Sequence, residues 1–389
     1  MTFIGRRIAQ ATLRGAALLL ATRPVQASEV SESSFGQLPD GRAVKLLTLS
    51  NPSGVTARVI TWGAALQGLI MPDRSGRRAD VQLGYDSLDG YLNKSEYFGA
   101  TVGRYANRLA RGRFTVDGRA YAALLNNGPN SLHGGTVGFD KVLWELVEMR
   151  SGSPARVTLR HVSPDGDQGY PGTLTVTATY SLSDANELAI EYLATTDRPT
   201  IVNLTNHSYW NLAGEGAEHG ALGHLVTIPA EAYTPVDQAL IPTGELRPVT
   251  GSVFDFRTPR AVGDRVRDGR EQQLVYGRGY DHNFVLGRAV TTQPHLMARV
   301  SDPVSGRSFD LWSNQSGLQF YTGNFLDGTV VGKGKHIYRQ GDAIALEPQL
   351  FPDTPNQPSF GSARLEPGQT YRNLIIYRLA TGQRLRRLQ

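Results

Sequence analysis

The stretch Thr173-Leu-Thr-Val-Thr-Ala-Thr-Tyr180 decides the class of fold, because apolar and hydroxyl side chains alternate through it without a break. Successive side chains of a β-strand point to opposite faces of its sheet, so this period of two predicts one face on a core and one in solvent. Antiparallel sheets carry such half-exposed strands, whereas parallel sheets are covered on both faces. The stretch therefore favours an antiparallel sheet.

Further short runs rich in β-branched and aromatic residues predict more strands along the chain. They cover residues 44–50, 55–62, 157–162, 174–182, 188–195 and 374–379. Helical periodicity is scarce, since only residues 87–93 and 270–276 suggest helical turns. A parallel βαβ architecture would lack its crossover helices. The sequence thus predicts an all-β protein, a large antiparallel β-sandwich.

Turn residues between neighbouring runs predict two β-hairpins. Asp117-Gly118 separates the runs 113–116 and 119–122. Pro303-Val-Ser-Gly306 separates the runs 297–301 and 308–312. Both turns have the composition that reverses a chain tightly between antiparallel strands.

The first 27 residues have the layout of a signal peptide. Arg6 and Arg7 form a basic start, Gly15-Ala-Ala-Leu-Leu-Leu-Ala-Thr22 an apolar core, and Val25-Gln26-Ala27 a small-x-small cleavage site. The core is too short for a bilayer, which takes about 20 apolar residues. We therefore expect a periplasmic or secreted protein, with no membrane association after cleavage. If the segment is not a signal, the protein stays in the cytoplasm.

Composition excludes several classes of function. The net charge of +5 falls to +1 without residues 1–27, which hold four arginines and no acidic residue. The remaining basic cluster, Arg384, Arg386 and Arg387, is typical of a solvated tail, so we expect no nucleic-acid partner. The absence of cysteine excludes disulfides and thiolate chemistry.

Residues 28–389 show neither a linker nor a repeat, which predicts a single domain.

Six polar clusters lie beside aromatic, Gly or Pro residues, a composition typical of functional loops. They are Gly103-Arg-Tyr-Ala-Asn-Arg108, Asn130-Ser-Leu-His-Gly-Gly135, Asn203-Leu-Thr-Asn-His-Ser-Tyr-Trp-Asn-Leu212, Gly279-Tyr-Asp-His-Asn-Phe284, Gln319-Phe-Tyr-Thr-Gly-Asn324 and Leu346-Glu-Pro-Gln349. Sugars present hydroxyl groups together with apolar C–H faces. Carboxylates, amides, His and Arg fringed by aromatic rings suit such a ligand. The clusters therefore predict a carbohydrate site.

Two ionisable residues are candidates for acid–base chemistry. His207 has an ordinary pKa of about 6.5, close to neutral pH. Glu347 ends the apolar run Ala343-Ile-Ala-Leu-Glu347, where a buried charge has to be paired or perturbed. Each also has a structural interpretation, His207 as a histidine beside a strand and Glu347 as an exposed strand end.

A metal site is a further alternative. It would draw its ligands from His133, His207, Asp281, His282 and Glu347. No H-x-H or H-E-x-x-H spacing supports it, and we expect no metal and no cofactor. A serine-hydrolase elbow and a phosphate-binding glycine loop are both missing from the sequence.

Four motifs, in this order, resemble the aldose 1-epimerase (galactose mutarotase) family across nearly the whole chain after residue 27. They are Thr61-Trp-Gly-Ala64, Leu83-Gly-Tyr-Asp86, Phe98-Gly-Ala-Thr-Val-Gly-Arg-Tyr-Ala-Asn-Arg108 and Glu347-Pro-Gln-Leu-Phe-Pro-Asp-Thr-Pro-Asn356. Trp210 stands where the family often has Phe. The resemblance implies that family's large antiparallel sandwich, a galactose mutarotase-like supersandwich.

The resemblance also implies roles for single residues. Glu347 falls on the general base and His207 on the general acid. Sugar-binding or supporting positions fall on Asn107, Arg108, His133, Asp281 and Gln319. The expected activity is interconversion of the α and β anomers of free hexoses such as glucose and galactose.

Two alternative functions share these site residues. A non-catalytic carbohydrate-binding protein would have no need of a matched acid and base. A hexose-6-phosphate 1-epimerase would need added cations near the sugar C6. The preferred hexose stays open, as does the choice between monomer and homodimer.

Overall fold

The computed structural model describes residues 1–2, 27–93 and 96–382. Residues 3–26 of the predicted signal segment lie outside this part of the chain, as does the basic cluster Arg384, Arg386 and Arg387. No helix in the described ranges is long and apolar enough to cross a membrane.

The described residues form thirty β-strands. In chain order these are β1 Glu29–Gln37, β2 Ala43–Ser50, β3 Thr56–Ile60, β4 Ala65–Pro72, β5 Arg78–Asp80, β6 Thr101–Val102, β7 Arg108–Leu109, β8 Arg113–Val116, β9 Arg119–Ala122, β10 Ser131–Leu132, β11 Glu145–Arg150, β12 Ala155–Ser163, β13 Leu174–Leu182, β14 Glu187–Thr196, β15 Thr200–Ile201, β16 Thr205–Asn206, β17 Tyr209–Trp210, β18 Leu225–Thr227, β19 Ala232–Thr234, β20 Arg247–Pro248, β21 Arg260–Ala261, β22 Asp281–Val285, β23 His295–Ser301, β24 Arg307–Ser313, β25 Gly317–Tyr321, β26 Asp327–Val331, β27 Ile337–Arg339, β28 Ile344–Gln349, β29 Arg364–Leu365 and β30 Tyr371–Thr381.

Helices are short and few in the same part of the chain. The two α-helices are α1 Leu88–Asn93 and α2 Gln272–Gly277. Single 3-10 turns cover Ala110–Gly112, Phe139–Lys141, Asp167–Gly169, Val262–Asp264, Lys333–Lys335, Thr354–Asn356 and Pro358–Phe360. Both predicted helical turns are confirmed.

Three large sheets organise the strands. One has nine strands in the order β11-β12-β13-β14-β30-β24-β23-β18-β21. A second has five, β1-β2-β3-β4-β5, and a third has six, β17-β28-β25-β22-β19-β20. Neighbouring strands within them run antiparallel.

One hydrophobic cluster joins the three sheets. It includes Leu47 of β2, Val176 of β13 and Leu346 of β28, all fully buried. Strand β2 contacts β12 and β13, and β28 contacts β30. The nine-stranded sheet therefore packs against both other sheets, and the predicted antiparallel sandwich is confirmed. Each buried Val or Leu side chain contributes about 2 kcal/mol relative to exposure.

Strand β13 shows why the pattern of residues 173–180 was informative. The side chains that alternate with its threonines are buried, while the threonines are half-buried on the other face. Both hairpins are also confirmed, because β8 pairs with β9 and β23 pairs with β24. The predicted strand 374–379 is longer in the structure, since β30 keeps its hydrogen-bonded partners β14 and β24 from Tyr371 to Thr381.

The six-stranded sheet positions the polar residues. Gln319 of β25 lies opposite Glu347 of β28, and Asn283 of β22 lies opposite Gln319. Directly paired residues share a face, so these side chains form one cross-strand row. Asp281, two residues before Asn283, points to the same side. The intervening residues Phe320 and Leu346 face the core.

Candidate active site

A cleft of about 290 Å³ lies over this polar row. Its walls include six of the seven residues that the sequence singled out, namely Asn107, Arg108, His133, His207, Asp281 and Glu347. Gln319 is buried behind Asp281 rather than lining the cleft. These residues are up to 240 positions apart in the sequence, the distance from Asn107 to Glu347. Folding of the chain brings them together.

His207 and Glu347 face each other at the base of the cleft. Nε2 of His207 lies 3.6 Å from Oε1 of Glu347, and the two residues are 5% and 2% exposed. Nδ1 of His207 and Oε2 of Glu347 have no hydrogen-bond partner among the described residues. The backbone of His207 is fixed, because its N–H donates to the Ala100 carbonyl at 2.9 Å and its carbonyl accepts from Gly99 N–H at 2.9 Å.

Burial shifts both groups toward their uncharged forms. It raises the pKa of Glu347 well above its ordinary value, and the nearby Asp281 carboxylate adds to this while Arg108 opposes it. Burial lowers the pKa of His207 to about 4. These shifts favour the arrangement in which the pair holds one proton, on the carboxyl group of Glu347. An ionised Glu347 beside a protonated His207 also holds one proton. The two arrangements of the pair therefore differ only in which residue carries that proton.

Arg108, Asp281 and Gln319 form a second polar group. Nη1 of Arg108 lies 3.5 Å from Oδ2 of Asp281, and Nε2 of Gln319 donates to Oδ1 of Asp281 at 2.7 Å. Nε of Arg108 donates to Oδ1 of Asn127 at 3.1 Å. The carboxylate and the guanidinium are thus held in place, and both line the cleft. Gln319 orients Asp281 from behind.

Two hydrogen bonds join Asn107 and His133, one through the His133 ring and one through its backbone. The Asn107 N–H donates to Nδ1 of His133 at 3.2 Å, and the His133 N–H donates to the Asn107 carbonyl at 3.1 Å. Both have left-handed backbones, with φ of 64° and 52°, a region in which Asn and His are enriched. Because Nδ1 accepts this bond, neutral His133 carries its proton on Nε2 and acts as a donor.

This tautomer bears on the metal alternative. The possible ligand atoms of His133, His207 and Glu347 lie within 4.8 Å of one another. A metal ligand needs a free lone pair, and the Asn107 N–H already occupies the one on Nδ1 of His133. The protonated Nε2 has none to offer, so the donor set does not suit a metal. His282 lies on the opposite face of β22, 4.7 Å between ring centres from Phe254, and does not converge with the others.

Aromatic rings hold the two histidines. The Tyr97 ring centre lies 4.7 Å from that of His133 and 5.7 Å from that of His207. Tyr209 lies 5.0 Å from His207 on the same measure. Both tyrosines line the cleft, so they combine an apolar surface for sugar C–H groups with support for the imidazoles.

One expectation from the sequence was wrong for part of the site. The clusters around Asp281 and Gln319 have the composition of functional loops, but these residues lie on β22 and β25, while Glu347 lies on β28, as its apolar run indicated. Strand pairing satisfies their backbone groups while the alternation of side chains turns the polar ones to the cleft. Trp210, which neighbours His207 in sequence, is not at the site. It is fully buried and packs on Phe309 and Tyr377, with ring centres 5.3 Å and 4.8 Å away.

Several lining residues were missed by the sequence reasoning: Glu96, Tyr97, Asn127 and Phe325. Tyr97 and Glu96 directly precede the motif that begins at Phe98, and their position was an available signal. Asn127 and Phe325 lie in segments with no distinguishing pattern. Only the folded chain brings them to the cleft.

An antiparallel sandwich with a buried His–Glu pair, set among sugar-compatible donors and acceptors, defines a protein of the carbohydrate-processing class. The profile of the family described as Aldose 1-epimerase matches residues 45–378. The chain belongs to this family.

Several known proteins are similar to this chain over most of their length. A galactose mutarotase of Mus musculus is 44% identical over 351 residues, covering 90% of this chain and 98% of the relative. An aldose 1-epimerase of Escherichia coli (strain K12) is 38% identical over 341 residues, covering 87% and 96%. The solved structure of galactose 1-epimerase from Lactobacillus acidophilus NCFM superposes with a TM-score of 0.80 at 28% identity, covering 91% of this chain and 99% of that one.

Proposed function

We propose that this aldose 1-epimerase interconverts the α and β anomers of free hexoses such as glucose and galactose, with Glu347 as general base and His207 as general acid. The observation that carries the proposal is the pair itself, with Nε2 of His207 3.6 Å from Oε1 of Glu347 in a cleft lined by hydroxyl-binding groups. The relatives named galactose mutarotase support the activity.

Ring opening needs two proton transfers at neighbouring atoms. Glu347 takes the proton of the C1 hydroxyl while His207 gives one to the ring oxygen, and the bond between C1 and the ring oxygen breaks to leave an aldehyde. Rotation about C1–C2 presents the other aldehyde face. The ring closes when the C5 hydroxyl attacks, His207 takes its proton, and Glu347 returns a proton to the C1 oxygen.

The close approach of His207 and Glu347 fits the two proton transfers of ring opening. The C1 hydroxyl and the ring oxygen are attached to the same carbon, so an acid and a base that serve both must lie side by side. The open-chain stage leaves a protonated Glu347 and a neutral His207. Those are the forms that burial favours, and the protein therefore stabilises the stage at which rotation occurs.

The remaining side chains orient the sugar. Nε2–H of His133 and the guanidinium of Arg108 donate to sugar oxygens, while Asp281 accepts from hydroxyl groups. Asn107 supports His133 and also lines the cleft. These residues form hydrogen bonds that hold the reacting carbon beside the pair.

Neither alternative function fits as well. A binding protein has no use for two ionisable groups buried without hydrogen-bond partners at Nδ1 of His207 and Oε2 of Glu347. A hexose-6-phosphate epimerase needs cations for its phosphate. Arg108 is the cationic side chain among the described residues that line the cleft, and it is paired with Asp281.

Polarimetry of freshly dissolved α-D-glucose and α-D-galactose tests the activity. Glu347→Gln and His207→Asn should each lower the protein-dependent rate about 100-fold or more, because each removes one proton transfer. Glu231→Gln is the matched control, since that side chain is 80% exposed. Sugar binding to Glu347→Gln, followed by calorimetry, should persist. A wild-type rate equal to buffer would refute the activity, and an active Glu347→Gln would remove Glu347 from the mechanism.

We also propose that residues 1–27 direct export and are cleaved after Ala27. Ser28 is fully buried, and both its N and its Oγ lie close to Oδ1 of Asp184, at 3.2 Å and 2.5 Å. Cleavage would turn this amide into an ammonium group beside a carboxylate. An ion pair of this kind would stabilise the processed chain.

Fractionation and mass measurement of the protein expressed in its own host test this proposal. We expect periplasmic or extracellular protein beginning at Ser28. Asp184→Asn should lower the melting temperature of the processed protein more than that of a chain that keeps Ala27. Full-length protein confined to the cytosol would contradict export.

Within one chain the fold already brings together the proposed acid–base pair and the sugar-binding groups of the cleft. We therefore expect full activity from a monomer, and equal activity per chain if the protein forms a homodimer. Size-exclusion chromatography with assay of the fractions distinguishes these states.

A further inference from the structure

One charged group in the cleft has no part in the proposed reaction. Glu96 lines the cleft and is next in sequence to Tyr97, whose ring contacts both histidines. Its carboxylate is half-buried. The role of Glu96 therefore has to be sought in substrate recognition.

The other ionisable groups of the lining balance one another. Arg108 is paired with Asp281, and the pKa shifts of Glu347 and His207 favour a pair that is neutral overall. Burial lowers the pKa of His133 well below its usual value, which keeps its ring neutral. Among the described lining residues, Glu96 is then the charge that remains uncompensated.

A cation does lie near this wall. Nζ of Lys141 is 5.0 Å from the ring centre of Tyr97. Its charge is already matched, because Nζ lies 2.6 Å from Oδ2 of Asp140. Lys141 is also absent from the described lining of the cleft.

The Glu96 carboxylate is oriented by a buried hydroxyl. The Tyr85 hydroxyl donates to Oε2 of Glu96, and Tyr85 is 4% exposed with its ring 5.3 Å from that of Phe98. Oε1 accepts no hydrogen bond from the part of the chain that the structure describes. One oxygen is thus held by Tyr85, and the other is left open to a ligand by the described residues.

Glu96 acts electrostatically on Tyr209, another residue of the cleft lining. Burial raises the pKa of Tyr209 well above its usual value, and Tyr321 and the carboxylates of Glu347, Glu96 and Asp281 raise it further. The Tyr209 ring lies 5.0 Å from that of His207. A charged substituent on a sugar bound beside His207 therefore experiences the Glu96 charge.

We propose that Glu96 is a specificity-determining residue that sets the charge selectivity of the cleft. It admits neutral aldoses and aldoses that carry an ammonium group, and it disfavours aldoses that carry a carboxylate or phosphate. Its free oxygen accepts a hydrogen bond from a hydroxyl or ammonium group of the sugar. This inference rests on the proposed mutarotase function of the same cleft.

The test compares three sugars that differ in charge: D-glucose, D-glucuronate and D-glucosamine. Mutarotation is followed at pH 6, where glucosamine is protonated, for wild type and Glu96→Gln. Glu96→Gln should raise kcat/KM for glucuronate relative to glucose about fivefold, the size of effect expected for one partly screened charge. The same variant should lower the ratio of glucosamine to glucose.

Two further variants separate charge from structure. Glu96→Asp keeps the charge and should keep the wild-type ratios. Asp89→Asn removes an exposed charge of helix α1, outside the cleft lining, and should change nothing. The effect of Glu96→Gln should also shrink in 1 M salt, where the Debye length is about 3 Å.

Two results would overturn the inference. In the first, Glu96→Gln leaves the kcat/KM ratios of glucuronate and glucosamine to glucose unchanged. In the second, it changes kcat/KM equally for all three sugars. Both leave wild-type activity on glucose intact. The absence of any wild-type activity on glucose would instead refute the proposed function.

Discussion

The opposite pKa shifts of Glu347 and His207 have a measurable consequence for activity. The pair works with one proton, so activity is lost when a second proton binds and also when the first is released. The second proton binds to His207, whose pKa is lowered to about 4 by burial. The first leaves Glu347, whose pKa burial raises well above the ordinary value.

We therefore predict that kcat/KM for α-D-glucose falls on the acid side with a midpoint near pH 4, rather than near the ordinary histidine value of about 6.5. The alkaline fall should lie well above the ordinary range of carboxyl groups. Polarimetric rates across pH, corrected for the buffer reaction, measure the profile. An acid midpoint near 6.5 would show that His207 is not held neutral by its surroundings.

At the residue scale, the sequence predicted site residues best where a chemically suitable side chain lay within a family motif. Glu347 and Arg108 stand inside long motifs, and the structure brings both to one cleft. The contact of Gln319 with Asp281, and the presence of Asn127 in the lining, were not predictable. They depend on cross-strand register and on how a loop returns to the sheet, and local sequence encodes neither.

At the scale of elements, the hairpin of β26 and β27 is secured by one buried lysine. Lys333 lies between the two strands and is 4% exposed. Its Nζ donates to Oδ2 of Asp80 and to the Gln82 carbonyl, both at 2.9 Å, and also to the Gln67 carbonyl. Phe325 and Leu326, just before β26, line the cleft. The lysine thus ties this wall of the site to the five-stranded sheet.

Lys333→Met should destabilise the protein by about 3 kcal/mol, because it leaves the Asp80 carboxylate and two carbonyls without their donor. The loosened wall should also raise KM for glucose more than it lowers kcat. Urea unfolding and steady-state polarimetry measure the two effects. Lys335→Met, two residues further on and exposed, is the matched control and should behave like wild type. Equal stability of the two variants would contradict the anchoring role.

Strands with a strong local sequence pattern were predicted well, whereas the strands with which they pair across the sheet were not. The predicted run 174–182 coincides with β13, and Asp117-Gly118 located the hairpin of β8 and β9. The pairing of β14 with β30 and of β30 with β24 brings together strands about 180 and 70 residues apart in the chain. Such pairing depends on the packing of whole sheets, for which a single strand carries no local code.

At the scale of the whole molecule, one hydrophobic cluster includes residues from Leu47 to Leu379. The nine-stranded sheet itself combines strands from Glu145 to Thr381. Because the hydrophobic cluster and the nine-stranded sheet both draw on the two halves of the chain, we keep the expectation that residues 28–389 form a single domain.

A chain that begins at Ser28 should therefore unfold in one cooperative transition. Calorimetry should give equal calorimetric and van't Hoff enthalpies, and tryptophan fluorescence and circular dichroism should follow one urea curve. Two separated transitions would show that the chain contains independent domains.

The cross-strand row of Asp281, Gln319 and Glu347 also bears on how new specificities arise. Glu347 is carried by a strand that the core holds in register and His207 is fixed between β16 and β17, whereas much of the wall that meets the rest of the sugar comes from other connecting segments. Such segments can be exchanged or lengthened without disturbing the strands beneath. A descendant or designed protein can therefore acquire a different sugar preference by loop grafting while inheriting the same proton-transfer machinery unchanged.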